Sequence, residues 1–189
     1  SIYYRLVDEY KVFKIIESYS DVEEVLSNKD MIGIVLHVEG ADCIDDPYDL
    51  KLLRKLGLRG LGLTWNYGNK YAAACNSKKD YGLTDAGEEL VRMANKYGII
   101  IDLAHASKNT IIDVTGVSKK PVIVSHTNVR SIVNSHRNID DESLEAIYKR
   151  RCQMFEKVAV CLCGSGVSEQ ILPYATEEAL HFKSKIILL

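Results

Sequence analysis

Three residues able to bind a metal stand at the ends of three apolar runs. The runs are Ile32–Gly40 (IGIVLHVEG), Ile99–His105 (IIIDLAH) and Pro121–Asn128 (PVIVSHTN), and each stops at Glu39, His105 or His126. Sequence with helical character follows each one. Repeated strand–ligand–helix units are how α/β barrels gather metal ligands on the C-terminal rim of the strands. Two histidines and one glutamate also form a recognised zinc set that leaves a fourth position open for water. The chemistry this predicts is a metal-bound water, the alternatives being histidines hydrogen-bonded at strand ends and a rim ion pair of Glu39.

Other polar residues near these runs carry open readings. Asp102, three residues before His105, reads either as a group behind the ligands or as a buried polar residue holding the rim. His37 shares a strand face with Glu39, and a packed or hydrogen-bonded role just inside the rim is favoured. Arg137, in SHRN, suits bidentate recognition of a carboxylate. Its alternative is an ion pair with Asp140, Asp141 or Glu142. His136 adjoins it in the same loop, and His181 lies in the tail without an evident partner. GLRGLGL contains no GxGxxG between a strand and a helix, and neither GxSxG nor CxxC occurs.

The elements that must position these residues alternate along the chain. Residues 3–28 show helical spacing (Leu6, Tyr10, Phe13, Ile16, then Val22, Val25, Leu26), with a break at Tyr19–Asp21 and Ser20 as the second cap. Ile32–Val38 predicts a continuous strand buried on both faces. Pro47–Leu56 predicts a helix stopped by Gly57, and Leu58–Thr64 a strand leading into a long loop. Thr84 caps a helix to about Tyr97 that Gly98 ends, and strand Ile99–Leu103 follows. A helix from Ser107 or Asn109 to Gly116, strand Val122–Ser125, helix Asp141–Arg151 and strand Val158–Cys163 complete the series. Strands alternating with helices define an α/β fold with a parallel sheet.

Bulk properties narrow the classes. The 189 residues suffice for one domain but fall short of the roughly 250 of a complete (β/α)8 barrel. A net charge of −2 gives no electrostatic case for nucleic acid or a membrane surface. No apolar run approaches the ~18 residues of a transmembrane helix, and the N-terminal residues lack a signal-peptide pattern. Five cysteines at irregular spacing, with Cys161-x-Cys163 as the close pair, read as reduced thiols of a cytoplasmic protein.

The runs LGLRGLGLTWNYGNKYA, YGLTDAGEELVRMANKYGIIIDLAHAS and PVIVSHTNVRSIVNSHRNIDDESLEAI closely resemble the membrane (renal) dipeptidase family of zinc metallopeptidases, over roughly residues 30–148. Family members are (β/α)8 barrels of the metallo-dependent hydrolase kind. They bind two zinc ions and hydrolyse dipeptides with a metal-bound hydroxide. The resemblance implies that Glu39 corresponds to the metal-bridging carboxylate, and His105 and His126 to the ligands of one zinc. Arg137 corresponds to the residue gripping the substrate carboxylate. Where the family often has His after LT, this chain has Trp65 followed by Asn66, and Asn66 joins Arg137 as an implied substrate contact.

The family's His-x-Asp motif and its later DFDG-like aspartate have no counterpart here, so the resemblance transfers no catalytic residue. The expectation is therefore one domain over residues 1–189, an incomplete barrel with a divergent tail from 150 to 189. It would hold at most one zinc and take dipeptides, and open barrel edges would favour a homo-oligomer. The alternative is a non-catalytic remnant or split-enzyme fragment that binds zinc or a partner chain.

Overall fold

The structure is a computed structural model that describes residues 2–151, 157–160 and 185–188. In chain order the elements are α1 (Ile2–Glu9), β1 (Phe13–Ile15), α2 (Tyr19–Ser27), β2 (Ile32–Ile34) and β3 (Leu36–Glu39). Then come α3 (Leu50–Lys55), β4 (Leu58–Gly62), α4 (Asp85–Tyr97), β5 (Ile100–Asp102) and α5 (Lys108–Val117). β6 (Val122–Ile123), α6 (Asp141–Arg151), β7 (Lys157–Val160) and β8 (Lys185–Leu188) close the series.

Every strand pairing is parallel, as the α/β alternation predicts. The main sheet runs β3-β4-β5-β6, while β1 pairs with β2 and β7 with β8. Register in the main sheet sets Glu39 against Gly62, Gly62 against Asp102, and Asp102 against Ile123. His105 and His126, each three residues beyond a paired position, therefore leave the sheet at the same height.

Four expectations are corrected. The helical segment over residues 3–28 contains a strand, because Val12, Phe13, Ile15 and Ile16 are β-branched or aromatic and pair with β2. The second helix is capped by Ser18 rather than Ser20: its side chain and Asp21 form a reciprocal capping box. The strand expected over Ile32–Val38 breaks at Val35 into β2 and β3, which belong to different sheets. Its residues are not buried on both faces, since Ile32 and Val35 are exposed. Strand side chains alternate in direction, and packing covers the Ile34, Leu36 and Val38 side more fully. Of the expected strand Val158–Cys163, the first part lies in β7; Cys161–Cys163 and His181 lie outside the described residues.

The core lies between the main sheet and its helices. Leu61, Leu63, Ile101 and Leu103 meet Leu90, Val91 and Ala94 of α4 and Ile111 and Val114 of α5. Thr84 accepts the Gly87 N–H at the start of α4, and Gly98 ends that helix with φ +67°. A Cβ on Gly87 would stand 2.1 Å from the Tyr71 carbonyl oxygen, so a glycine there lets the first turn of α4 sit against the long loop.

That loop is firmly held. The Asn69 side chain donates to the Leu63 carbonyl and accepts from the Tyr71 N–H. The buried Tyr71 hydroxyl donates to the Ile44 carbonyl. Leu61→Ala, at a fully buried site, should cost about 2–5 kcal/mol in urea unfolding. Leu52→Ala, at an exposed one, should cost no more than about 0.5 kcal/mol.

Candidate metal centre

The C-terminal ends of β3, β5 and β6 bring Glu39, His105 and His126 together, although 66 and 21 residues separate them in sequence (105 − 39 and 126 − 105). His105 Nε2 and His126 Nε2 lie 3.0 Å apart. Glu39 Oε1 is 3.2 Å from the first and 3.1 Å from the second. Two metal bonds of about 2.0–2.1 Å at a tetrahedral angle hold their ligand atoms about 3.3 Å apart. The three atoms thus form nearly one face of a tetrahedron sized for zinc. His105 is buried, whereas Glu39 and His126 are exposed, so the group borders solvent.

Local backbone geometry makes the convergence possible. His105 has φ +65°, the left-handed region, where a non-glycine residue costs about 1–3 kcal/mol. The surrounding bonds hold it there. Its carbonyl accepts the Cys75 N–H at 2.8 Å, and Ala106 N–H bonds to the Leu103 carbonyl. This turn lifts the imidazole off the strand line toward Glu39. Burial, followed by the nearby Arg137 charge, holds the His105 pKa below its ordinary value, so the ring is neutral and fit to ligate at neutral pH.

Behind Glu39, His105 and His126 lies a polar layer. His105 Nδ1 is 3.0 Å from Asn66 Oδ1, so an Nδ1 proton has an acceptor and Nε2 is left for a cation. Asn66, expected at the substrate, is therefore placed against a ligand ring. His126 Nδ1 is 2.8 Å from Ser125 Oγ, and that hydroxyl donates to Asp102 Oδ2.

Asp102 is 1% exposed and also receives the Ala104 N–H, the Ser125 N–H and, at 3.1 Å, His37 Nε2. Burial pushes its pKa up, but the His37 and Ser125 side chains and the two backbone donors outweigh that and hold it at about 2. The His37 ring lies across Gly60: a Cβ there would stand 2.5 Å from His37 Cδ2. The open readings of Asp102 and His37 resolve into one contact between them.

Arg137 donates from Nη2 to the His126 carbonyl at 3.0 Å and is partly buried, which lowers its pKa. Of the carboxylates weighed as its partners, Asp140 pairs with Arg130 at 3.5 Å and Glu142 with Lys108. Among the described residues no carboxylate pairs with Arg137. A cavity of about 230 Å³ opens beside it, bordered by His105, Cys75, Thr127 and His136. The residue missed in the sequence was Ser125, whose signal is a hydroxyl immediately before His126; Asn66 was singled out there, but for a substrate contact rather than for the His105 ring.

A parallel α/β sheet with Glu39, His105 and His126 gathered at its C-terminal rim defines the class: a partial (β/α)8 barrel of the metallo-dependent hydrolase kind. Solved structures agree. An amidohydrolase from Pseudomonas aeruginosa superposes with a TM-score of 0.72 at 27% identity, over 77% of this chain and 44% of that one. A metallo peptidase from Rhodobacter sphaeroides, solved with a phosphinate mimic of the dipeptide L-Ala-D-Ala, gives 0.74 at 24% identity, over 93% and 54%.

The family model for membrane dipeptidase (peptidase family M19) matches residues 1–153, and the chain belongs to that family. An uncharacterised dipeptidase of Schizosaccharomyces pombe is 34% identical over 151 residues, 76% of this chain and 36% of its own length. A dipeptidase of Claviceps purpurea is 26% identical over 185 residues, 92% and 44%. The chain spans about half the length, or less, of these relatives. No helix among the described residues is long and apolar enough to cross a membrane.

The Asp102 pKa sets a pH dependence. It lies below the ordinary 3.8, so the stabilisation, about 2 kcal/mol, is full above about pH 4 and is lost as pH falls toward 2. Urea unfolding midpoints should fall as pH drops from about 5 toward about 2, and Asp102→Asn should reduce that pH dependence.

Proposed function

We propose that this chain carries the metal-binding half of a dipeptidase site, with Glu39, His105 and His126 holding one zinc ion and Arg137 receiving the carboxylate of a dipeptide. The observation that carries the reading is the triangle of ligand atoms with edges of 3.0, 3.1 and 3.2 Å. When bound, zinc would supply Lewis acidity and bring the pKa of a bound water toward about 7. The chain's own residues do the rest. His105 is kept neutral, Glu39 contributes the negative charge that offsets part of the ion's, and the open side leaves room for substrate. Arg137 has donors to spare beyond the one given to the His126 carbonyl, and its planar fork matches a carboxylate. Trp65, exposed with its ring 6.4 Å from that of His105, flanks the same mouth.

A second reading is a chain that binds zinc and a peptide without turning it over. It is favoured by the single group of candidate metal ligands, Glu39, His105 and His126, found among the described residues. A single ion would leave the developing oxyanion less stabilised, and each ~1.36 kcal/mol lost slows the reaction about tenfold. Metal binding itself is common to both readings.

Metal analysis of protein purified without chelator should find about one zinc per chain, lost in His126→Ala. A folded wild type that takes up no zinc would sink both readings. For the carboxylate contact, Arg137→Ala should weaken a dipeptide about 10–100-fold while leaving its C-terminal amide little changed. An equal loss for both ligands would assign Arg137 to architecture alone.

A further inference from the structure

The hydrogen bonds behind His126 run in one direction, and proton counting fixes that direction. Asp102 is a carboxylate with about four acceptor sites and no proton to give. All four are used: Oδ1 takes the Ala104 and Ser125 N–H groups at 3.0 Å each, and Oδ2 takes His37 Nε2 and the Ser125 hydroxyl. A serine hydroxyl has a single proton. Once it is given to Asp102, Ser125 Oγ can only accept from His126 Nδ1, 2.8 Å away.

We propose that Asp102, acting through the Ser125 hydroxyl, fixes His126 as its Nδ1–H tautomer, so that the Nε2 lone pair already faces Glu39 and His105 before any cation arrives. The inference rests on the metal reading above and adds three positioning residues to it: Ser125, Asp102 and His37. Ser125 is clamped twice, through its N–H and its hydroxyl, so both the orientation of the His126 ring and the position of its backbone follow from the carboxylate. His37 completes the set from the neighbouring side, across the glycine that makes room for its ring.

The other ligand histidine is held differently. Asn66 lies against His105 Nδ1, and an amide side chain can turn either its oxygen or its nitrogen to a ring. It orients that ring without choosing its proton. The Asp102 chain has no such freedom, because a carboxylate cannot become the donor. His126 is also the more exposed of the two rings, with 51% of its side chain accessible against 9% for His105, so it has less packing to hold it.

The test is made on the metal-free full chain with nitrogen-labelled histidine, at about pH 8, where an ordinary imidazole is neutral. Long-range nitrogen–proton spectra, assigned with His126→Ala, should show His126 as the Nδ1–H form. Ser125→Ala should shift it toward the Nε2–H form and weaken zinc about 10–100-fold. Ser125→Thr, which keeps the hydroxyl, should restore both. A wild type in the Nε2–H form, or a folded Ser125→Ala protein with the tautomer unchanged, would overturn the proposal. A wild type that shows the Nδ1–H form yet binds no zinc would defeat the metal reading while the positioning of His126 stood.

Discussion

A carboxylate removed from water must find donors for both oxygens, and Asp102 finds four. Those donors come from β3 (His37), from the turn after β5 (Ala104), and from the segment following β6 (Ser125). Asp102 therefore ties together the three rim segments that carry Glu39, His105 and His126. Unlike apolar contacts, which tolerate sliding, this arrangement has one satisfactory geometry, since a displaced donor leaves a buried charge short of a partner. The sheet positions the carboxylate, and the carboxylate fixes the spacing of the site.

That dependence explains the small residues of β4, the strand between β3 and β5. His37 can reach Asp102 across β4 only because Gly60 has no side chain in the way. Gly62 pairs with both Glu39 and Asp102 and leaves the same crossing clear. Leu61 and Leu63, which alternate with these glycines, turn the opposite way into the core. One short strand thus meets two demands: bulk on the helix side, and little bulk where polar side chains from its neighbours must meet.

Long, capped or glycine-stopped elements were legible in the sequence. The helix from Thr84 to Gly98 carries its start and stop signals in single residues, and both act as expected. Glu39, His105 and His126 were legible because each interrupts an apolar run at the same point of a repeated unit. The N-terminal segment was not. Phe13 and Ile16 fit a helical spacing as well as a strand, and pairing with β2 decided the matter, which is tertiary information. The break at Val35 is of the same kind, since nothing local marks where one strand changes partners. Ser125, Asn66 and the His37–Asp102 contact were hidden for another reason. Their roles depend on which atom faces which, and sequence spacing carries only which face of an element a residue occupies.

Backbone strain and a close-set polar cluster meet at His105. Its left-handed backbone carries a conformational cost, and the site also sets two ring nitrogens and a carboxylate oxygen within about 3 Å of one another. Without a cation, such a cluster can be eased only by a shared proton or by spreading apart. The hydrogen bonds to Asp102, to Asn66 and to the His105 carbonyl resist spreading. A scaffold that holds close-set lone pairs against their own repulsion lowers the reorganisation needed when a cation enters. On this argument, part of the folding free energy contributed by the polar layer is expressed as the close spacing of Glu39, His105 and His126, and the two cannot be varied independently at Asp102.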